Sequence, residues 1–344
     1  MIKGNEIIYQ ISVRNYSQEG TFQAVQKDLP RLKELGVDII YLMPIHEIGI
    51  KNRKGTWGSP YAIKDYYSIS GDLGTKEDFI SLINATHKMG MKIIMDMVFN
   101  HTSPDSIVLE QHPEYYFYKD GKLGNRVGDW SDIIDLDTNR EDTQNYLVDV
   151  LKYWVSLGVD GFRFDVASMI SLDFFKKARK ELGKDIIFFA ESIDYDFVNY
   201  LKSMGYSSTP DIDMFPTFDL LYNYSWFRPF ERYLKNEMSY EDLKAVIDED
   251  YKDIGDKGLR IICFENHDTE RIASYVNEDE LKDIVLDLVK LKGPLFLYAG
   301  QEYGVNHRPN LFEKDSVDWK PNAKVLGIYK EAIKIKKHQL ILYQ

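Results

Sequence analysis

Cysteine is almost absent from this chain, because Cys263 is the only one among 344 residues. A single cysteine excludes a disulfide framework and a cysteine-ligated metal cluster. No apolar run reaches the roughly 18 residues that a membrane-spanning helix needs. Residues 1–6 contain no apolar core of a signal peptide. The lack of these three features predicts a cytoplasmic protein with no membrane partner.

Basic residues are fewer than acidic ones, with 43 Lys and Arg against 55 Asp and Glu, which gives a formal net charge of −12. This deficit argues against a nucleic acid or an anionic membrane surface as partner, because both attract basic proteins. Aromatic side chains are abundant instead, with 24 Tyr, 18 Phe and 5 Trp. Such rings fill protein cores, and they also suit the flat faces of sugars.

Short β-branched runs alternate with segments of helical period along almost the whole chain. The strand candidates are residues 7–13, 38–44, 92–99, 160–166, 186–190, 214–218, 260–264 and 295–298. Eight strands that alternate with helices predict parallel pairing through right-handed crossovers. At this length we predict an α/β fold, a closed (β/α)8 TIM barrel. Capping boxes at Thr75 with Asp78 and at Asn277 with Glu280 predict two of the helix starts.

The alternation breaks once, between the third strand and a helix that begins near residue 139. The intervening stretch is rich in Gly, Asp and aromatic residues and shows no clear period. A loop of this length is either functional or a small subdomain. We therefore expect residues 1–101 and 139–344 to form the barrel and residues 102–138 to form a small inserted domain.

Polar residues gather at the C-terminal ends of four predicted strands, where the active sites of such barrels lie. The four segments are residues 96–101, 161–165, 188–191 and 264–268. On the fourth strand, period-two geometry places Arg163 and Asp165 on one face, and the apolar opposite face must meet the helices. Both side chains should therefore point into the barrel mouth. An Arg and an Asp buried there are costly unless they pair.

Three acids at these strand ends suit the cleavage of a glycosidic bond with retention of configuration: Asp165, Glu191 and Asp268. In that reaction one carboxylate attacks the anomeric carbon while a protonated one donates to the leaving oxygen. We expect Arg163 to keep Asp165 ionised as the nucleophile, and the apolar run before Glu191 to favour a neutral acid/base.

The remaining polar residues have supporting roles in this interpretation. Asp268, His101 and His267 would bind sugar hydroxyls and support the cationic transition state. Asp96 would hold Arg163 or the barrel mouth. One such carboxylate alone would fit a structural salt bridge equally well, and only the set of three with Arg163 favours catalysis.

The four segments, in this order, resemble the short motifs of the α-amylase family of glycoside hydrolases, and the likeness covers nearly the whole chain. Residues 135–137 resemble a fifth family motif. Residues 58–67 resemble the family's loop after strand two, whose tyrosine stacks on the sugar. The resemblance implies a (β/α)8 barrel with a small domain after strand three, and a retaining enzyme that acts on α-glucans.

The resemblance also implies a role for each matching residue. Asp165 corresponds to the nucleophile, Glu191 to the proton donor and Asp268 to the transition-state stabiliser. Arg163 corresponds to the partner of the nucleophile. The sugar-binding positions correspond to Tyr61, His101 and His267, and two positions that bind a structural calcium in many members correspond to Asn100 and Asp135.

Two features depart from the family pattern. Ser168 and Met169 stand where many α-amylases carry Lys-His, a pair that contacts the neighbouring glucose and a calcium ion. We therefore predict that no cofactor is required, with calcium at Asn100 and Asp135 as the open alternative. The family's C-terminal β-sandwich has no counterpart before Gln344, so we expect that domain to be absent or truncated. If it is truncated, we expect the apolar residues 340–342 to be left uncovered.

The predicted function is hydrolysis of α-glucosidic bonds in α-glucans or oligosaccharides through a covalent glycosyl-Asp165 intermediate. The motifs leave an alternative open, a glycosyltransferase, sucrose-active enzyme or isomerase that shares the first half-reaction. A third possibility is a non-catalytic carbohydrate-binding member. Such members typically lack a catalytic carboxylate or add a membrane anchor, whereas this chain has every carboxylate and no anchor.

Overall fold

The computed structural model describes residues 2–128, 130–193 and 195–338. Its strands are β1 (Ile7–Ile11), β2 (Ile39–Leu42), β3 (His46–Ile48), β4 (Ile63–Ile69), β5 (Lys92–Met97), β6 (His101–Thr102), β7 (Tyr118–Lys119), β8 (Lys122–Leu123), β9 (Ile134–Asp135), β10 (Gly161–Phe164), β11 (Ile187–Ala190), β12 (Leu220–Leu221), β13 (Ile262–Cys263) and β14 (Leu295–Tyr298). Its α-helices are α1 (Val13–Tyr16), α2 (Phe22–Leu35), α3 (Lys76–Lys88), α4 (Ile107–Gln111), α5 (Glu141–Ser156), α6 (Leu172–Leu182), α7 (Tyr195–Ser203), α8 (Asp211–Met214), α9 (Tyr224–Leu234), α10 (Tyr240–Ile254), α11 (Glu278–Leu288) and α12 (Ala323–His338).

Eight parallel strands form the central sheet, in the spatial order β12, β11, β10, β5, β2, β1, β14, β13. This order follows the chain once around a ring, so each crossover joins neighbouring strands. Leu221 of β12 forms a parallel bridge to Arg260, just before β13. The hydrogen bond from Ile261 N to Leu221 O, 2.9 Å long, joins the two edges. The predicted (β/α)8 barrel is therefore confirmed.

The helices pack on the outside of the barrel through apolar stripes. In α2 the buried residues recur at three- and four-residue intervals, from Phe22 to Leu35, and the chain leaves the helix through Gly36 at φ 105°. A left-handed residue at this position suits glycine, which has no Cβ to clash. Both predicted capping boxes are present, at Thr75 and at Asn277. The sequence signals for helix termini were therefore correct at these places.

The sixth strand lies later in the chain than the sequence analysis placed it. We expected it at residues 214–218, but the structure has the short helix α8 ending at Met214 and the strand β12 at Leu220–Leu221. Pro216 lies inside the expected strand, and proline cannot donate the hydrogen bond that a central strand needs. The apolar run before it packs as a helix end and turn instead.

The stretch after the third barrel strand contains only short elements. β6 pairs with β9 and β7 pairs with β8, both antiparallel and separate from the barrel sheet. The limits 102–138 that we expected for an inserted domain remain a prediction. The expected exposure of residues 340–342 lies outside the described residues. Among the helices of the described part, none is long and apolar enough to cross a membrane.

Candidate active site

A cavity of about 260 Å³ opens at the C-terminal ends of the barrel strands. Its lining includes all three predicted catalytic acids and three predicted sugar-binding residues: Asp165, Glu191, Asp268, Tyr61, His101 and His267. Arg163 and Asp96 are fully buried and contact residues that line the cavity. The fold thus brings these residues, distant in sequence, to one place.

Arg163 lies opposite Asp96 on neighbouring strands, in register. Its Nη1 donates to both oxygens of Asp96, at 2.9 and 3.0 Å, and to Oδ1 of Asp165 at 2.9 Å. Its Nη2 lies 2.9 Å from Oε1 of Glu191. One buried guanidinium therefore serves three carboxylates, a surplus of negative charge that a structural ion pair would not need.

Burial and the nearby Glu191 both affect the pKa of Asp165. Burial and the charge of Glu191 raise the pKa of Asp165 well above its usual value, and Arg163 opposes this shift. The net direction is opposite to the expectation that Arg163 alone would keep Asp165 ionised. Two like charges this close resist ionising together, so the pair retains a proton to higher pH than separate carboxyl groups would. Burial and this repulsion therefore both favour the protonated form of Asp165 in the free enzyme.

Polar donors surround Glu191 rather than the apolar environment that we expected. Its Oε2 accepts a hydrogen bond of 2.7 Å from the backbone N–H of Val166, and its Oε1 accepts one of 3.2 Å from the Tyr224 hydroxyl. Val166 has φ 36° and ψ 45°, a left-handed conformation that is strained for a β-branched residue. This backbone turn aims the N–H of Val166 at the carboxylate.

Asp268 reaches the cavity from the end of the seventh barrel strand, and half of its side chain is exposed. Burial acts to raise its pKa, but the charge and hydrogen bond of His267 outweigh it and lower the pKa to about 2. The distance from His267 Nε2 to Asp268 Oδ2 is 3.1 Å. Asp268 is therefore a carboxylate throughout the neutral pH range.

His267 is held on both ring nitrogens. Nδ1 lies 2.9 Å from Gln10 Nε2, and Nε2 lies 2.6 Å from the Tyr61 hydroxyl. The hydroxyl of Tyr61 also donates to Asp96 Oδ2, at 3.1 Å. The rings of Tyr61 and His267 stack with centroids 5.3 Å apart. This arrangement fixes the face that both rings present to the cavity.

His101 lines the cavity beside the inserted stretch. Burial lowers its pKa to about 4, so the ring is neutral at pH 7. A neutral imidazole offers one donor and one acceptor, which suits sugar hydroxyls better than a cation would. Its Nδ1 lies 3.2 Å from the amide nitrogen of Asn100.

Asn100 and Asp135, the two predicted calcium ligands, lie next to each other, but an arginine neutralises the carboxylate. Asp135 Oδ2 accepts from Arg126 N at 2.8 Å and from Arg126 Nη1 at 3.3 Å. Asn100 turns its amide nitrogen, not its oxygen, toward Asp135. Calcium takes six to eight oxygen ligands, and no group of three His, Cys, Asp or Glu suited to a metal occurs among the described residues. These residues do not fit a calcium ion.

The two residues that depart from the family pattern lie away from the cavity. Ser168 is fully buried, and its hydroxyl accepts from Ile193 N at 3.1 Å. Met169 packs in a small apolar cluster with Val127 and Leu201. Both side chains therefore support the loop between β10 and α6 and do not face a substrate at the cavity.

Sequence reasoning missed several residues of the site. Lys54 and Asp132 line the cavity and form an ion pair of 2.7 Å between the loop after β3 and the segment between β8 and β9. Gln10 is a polar residue inside the apolar run of β1, and this interruption of the pattern is visible in the sequence. Tyr224 follows β12 closely, so the misplaced sixth strand concealed it. Its position at a strand end would have identified it.

Comparisons with known proteins agree with the barrel fold. The family model "Alpha amylase, catalytic domain" matches residues 7–127 and 126–339. A crystal structure of an alpha-amylase from Lactobacillus plantarum superposes with a TM-score of 0.93 at 38% identity and covers 98% of this chain and 81% of that one. A crystal structure of a maltogenic alpha-amylase from Thermotoga neapolitana superposes with a TM-score of 0.86 at 30% identity and covers 97% of this chain and 77% of that one. A probable oligo-1,6-glucosidase of Bacillus subtilis is 24% identical over 90% of this chain and 68% of its own length.

Proposed function

Because the chain belongs to the α-amylase family of retaining glycoside hydrolases, we propose that its strand-end carboxylates cleave α-glucosidic bonds in α-glucans or oligosaccharides. The observation that carries this proposal is the shared guanidinium of Arg163, which contacts Asp165 and Glu191 beside one cavity. Both carboxylates are thereby close together. A short separation is what a covalent glycosyl-enzyme intermediate requires, since no water needs to fit between nucleophile and sugar.

Asp165 and Glu191 divide the chemistry between them. Asp165 attacks the anomeric carbon while Glu191 gives its proton to the leaving glycosidic oxygen, and the C–O bond breaks. The ionised Glu191 then removes a proton from water, and the water oxygen displaces Asp165 from the sugar. This division requires a proton on Glu191 and a negative charge on Asp165 at the moment of attack.

The other lining residues bind the sugar and stabilise the transition state. The low pKa of Asp268, about 2, keeps a negative charge near the developing oxocarbenium ion. Tyr61 offers a ring face, and the neutral His101 offers hydrogen bonds to hydroxyl groups. Asp96 holds both Arg163 and Tyr61 in place.

The experiment that tests this proposal is incubation with maltooligosaccharides, isomaltose, sucrose and trehalose, with and without phosphate. NMR of the first products should show the α-anomer. Asp165→Asn should reduce kcat by roughly 10⁴-fold or more, the order of loss seen when a covalent nucleophile is removed. Asp173→Asn, the same change at an exposed site, should leave the rate unchanged.

Other outcomes would contradict the proposal. First products in the β-configuration, or a near-normal rate for Asp165→Asn, would refute the assigned mechanism. Sugar phosphates or longer oligosaccharides as the main products would favour the transferase alternative. No turnover of any substrate would favour a binding protein.

We also propose that the protein is located in the cytoplasm. This location is supported by Cys263, whose thiol is buried and free, as is common in proteins of a reducing compartment. Fractionation of the native host with antibody detection tests it.

A further inference from the structure

Glu191 contacts a tyrosine that does not line the cavity. The Tyr224 hydroxyl lies 3.2 Å from Glu191 Oε1, and Tyr224 is absent from the residues around the cavity in the described part of the chain. It is the first residue of α9, three residues after β12. Its ring packs against Tyr222, with centroids 5.0 Å apart. Tyr224 can therefore influence the substrate through the residues that it contacts, and its hydroxyl contacts Glu191 directly.

Asn266 determines which way the proton of Tyr224 points. The side-chain oxygen of Asn266 accepts a hydrogen bond of 2.8 Å from the backbone N–H of Asp268. A backbone nitrogen can only donate, so the amide oxygen of Asn266 is fixed on that side. Its Nδ2 then faces Tyr224 and donates to the hydroxyl oxygen at 3.2 Å. With its oxygen already accepting, Tyr224 directs its own proton to Glu191.

We propose that Tyr224, oriented by Asn266, is a positioning residue that donates a hydrogen bond to the acid/base Glu191 and so controls when this carboxyl group releases its proton. The proposal rests on the proposed function, since it needs Glu191 to act as the acid/base. The same Asn266 binds the N–H of Asp268, so the hydrogen-bonded chain runs from one cavity acid to another.

The direction of the effect follows from the type of hydrogen bond. A donor that points at a carboxyl group favours its ionised form. Without the Tyr224 hydroxyl, Glu191 should therefore keep its proton to higher pH and be a weaker acid. It should also be less well oriented toward the leaving oxygen. The first step should suffer most on substrates whose leaving group needs protonation.

The test is Tyr224→Phe, which removes one oxygen and keeps the ring. The alkaline limb of the pH profile of kcat/KM should move up by about half to one pH unit. On maltose or isomaltose kcat should fall about tenfold, whereas a nitrophenyl α-glucoside should lose much less. KM should change little, because Tyr224 does not line the cavity.

The matched control is Tyr222→Phe. Tyr222 is buried, and its hydroxyl has no hydrogen-bond partner among the described residues. The same chemical change two residues away should leave the pH profile and the dependence on the leaving group as in the wild type. Thermal unfolding of both variants checks that each is folded.

A second variant keeps the proposal testable if Tyr224→Phe does not fold. Asn266→Asp retains an oxygen for the Asp268 N–H but replaces the donor to Tyr224 by an oxygen, which should draw the hydroxyl proton away from Glu191. The new charge also acts directly on the site, so its effect is compared with and without Tyr224→Phe in a double-mutant cycle where both backgrounds fold. The upward shift of the alkaline limb that Asn266→Asp causes should be smaller when residue 224 is already Phe. If only the single variant folds, its alkaline limb should move up as for Tyr224→Phe.

The outcomes separate this inference from the proposed function. If the wild type hydrolyses with retention but Tyr224→Phe behaves as Tyr222→Phe, the positioning role is refuted and the function stands. An unmoved alkaline limb in folded Asn266→Asp likewise refutes the role. If the wild type hydrolyses no α-glucoside, the proposed function itself fails.

Discussion

Two clusters of buried carboxylate and arginine differ in charge balance, one centred on the barrel strands β5 and β10 and the other in the stretch after β6. In the Arg163 cluster one guanidinium serves Asp96, Asp165 and Glu191. In the Arg126 cluster one guanidinium pairs with one carboxylate among the described residues, that of Asp135. The first cluster reaches a cavity, whereas the second is closed by backbone, with Arg126 Nη2 donating to Leu136 O at 2.7 Å.

The difference shows which physical property separates a reactive site from a structural pair. In a one-to-one pair each buried charge has a partner, and removing either partner is costly. Where several buried carboxylates share one cation, like charges also repel, and the charge of Glu191 adds to burial in raising the pKa of Asp165. Residue type alone does not distinguish the two clusters, because both contain arginine and aspartate. The two clusters differ in the number of carboxylates for each arginine and in whether the cluster borders a cavity.

The largest effect is expected from Arg163→Met. It leaves three buried carboxylates without their cation, so unfolding free energy at pH 7 should fall by more than the about 3–5 kcal/mol that a single broken buried pair costs. Activity should be lost. Part of the stability should return at pH 5, where the carboxylates take up protons. Urea unfolding at both pH values measures this, and Arg140→Met, at an exposed pair, should leave the unfolding free energy nearly unchanged.

A smaller effect is expected from Arg126→Met. The unfolding free energy at pH 7 should fall by about 3–5 kcal/mol, because Asp135 is left buried and unpaired. The folded variant should keep its kcat within about tenfold, since Arg126 does not line the cavity. Loss of activity as complete as in Arg163→Met would erase the distinction between the clusters. A chelator should leave the melting temperature of the wild type unchanged, because Arg126 provides the positive charge at Asp135.

The smallest effect is a pH dependence that Asp135→Asn should remove. Burial raises the pKa of Asp135 to about 6, against the opposing action of Arg126. A raised pKa in the folded state means that the stabilising effect of protonation is complete below about pH 4 and is lost as pH rises through 6. The stability of the wild type relative to the variant should therefore fall by about 3 kcal/mol across this range. If the unfolding free energies of the wild type and Asp135→Asn depended on pH in the same way, the raised pKa of Asp135 would be contradicted. Asp173→Asn is the control, and its unfolding free energy should depend on pH as that of the wild type does.

Much of the fold and the catalytic set could be predicted from the sequence. Strand periodicity placed Arg163 and Asp165 on one face, and the order of strand ends brought Glu191 and Asp268 to the same mouth. Local pattern is informative there because each barrel strand repeats the same geometry. Pro216 could have corrected the sixth strand, since its missing N–H argues against a central strand.

Partners that come from other parts of the chain could not be predicted. Arg126 lies in a stretch without periodicity, and nothing in its local sequence indicates that it pairs with Asp135. The net pKa direction of Asp165 depends on burial and on the distance to Glu191, which only the folded structure supplies. The hydrogen bond from Tyr224 to Glu191 likewise depends on where α9 begins.

The hydrogen bond from Val166 to Glu191 has a consequence for how such enzymes diversify. The donating N–H belongs to the peptide group that also carries the carbonyl of Asp165, so Glu191 is hydrogen-bonded to the main chain of the proposed nucleophile. Covalent bonds and one hydrogen bond therefore hold the Glu191 carboxyl group at a set distance from the backbone of Asp165. Loops around the cavity can change in length and sequence without changing that distance. Substrate choice can therefore drift while the spacing needed for bond cleavage is inherited intact.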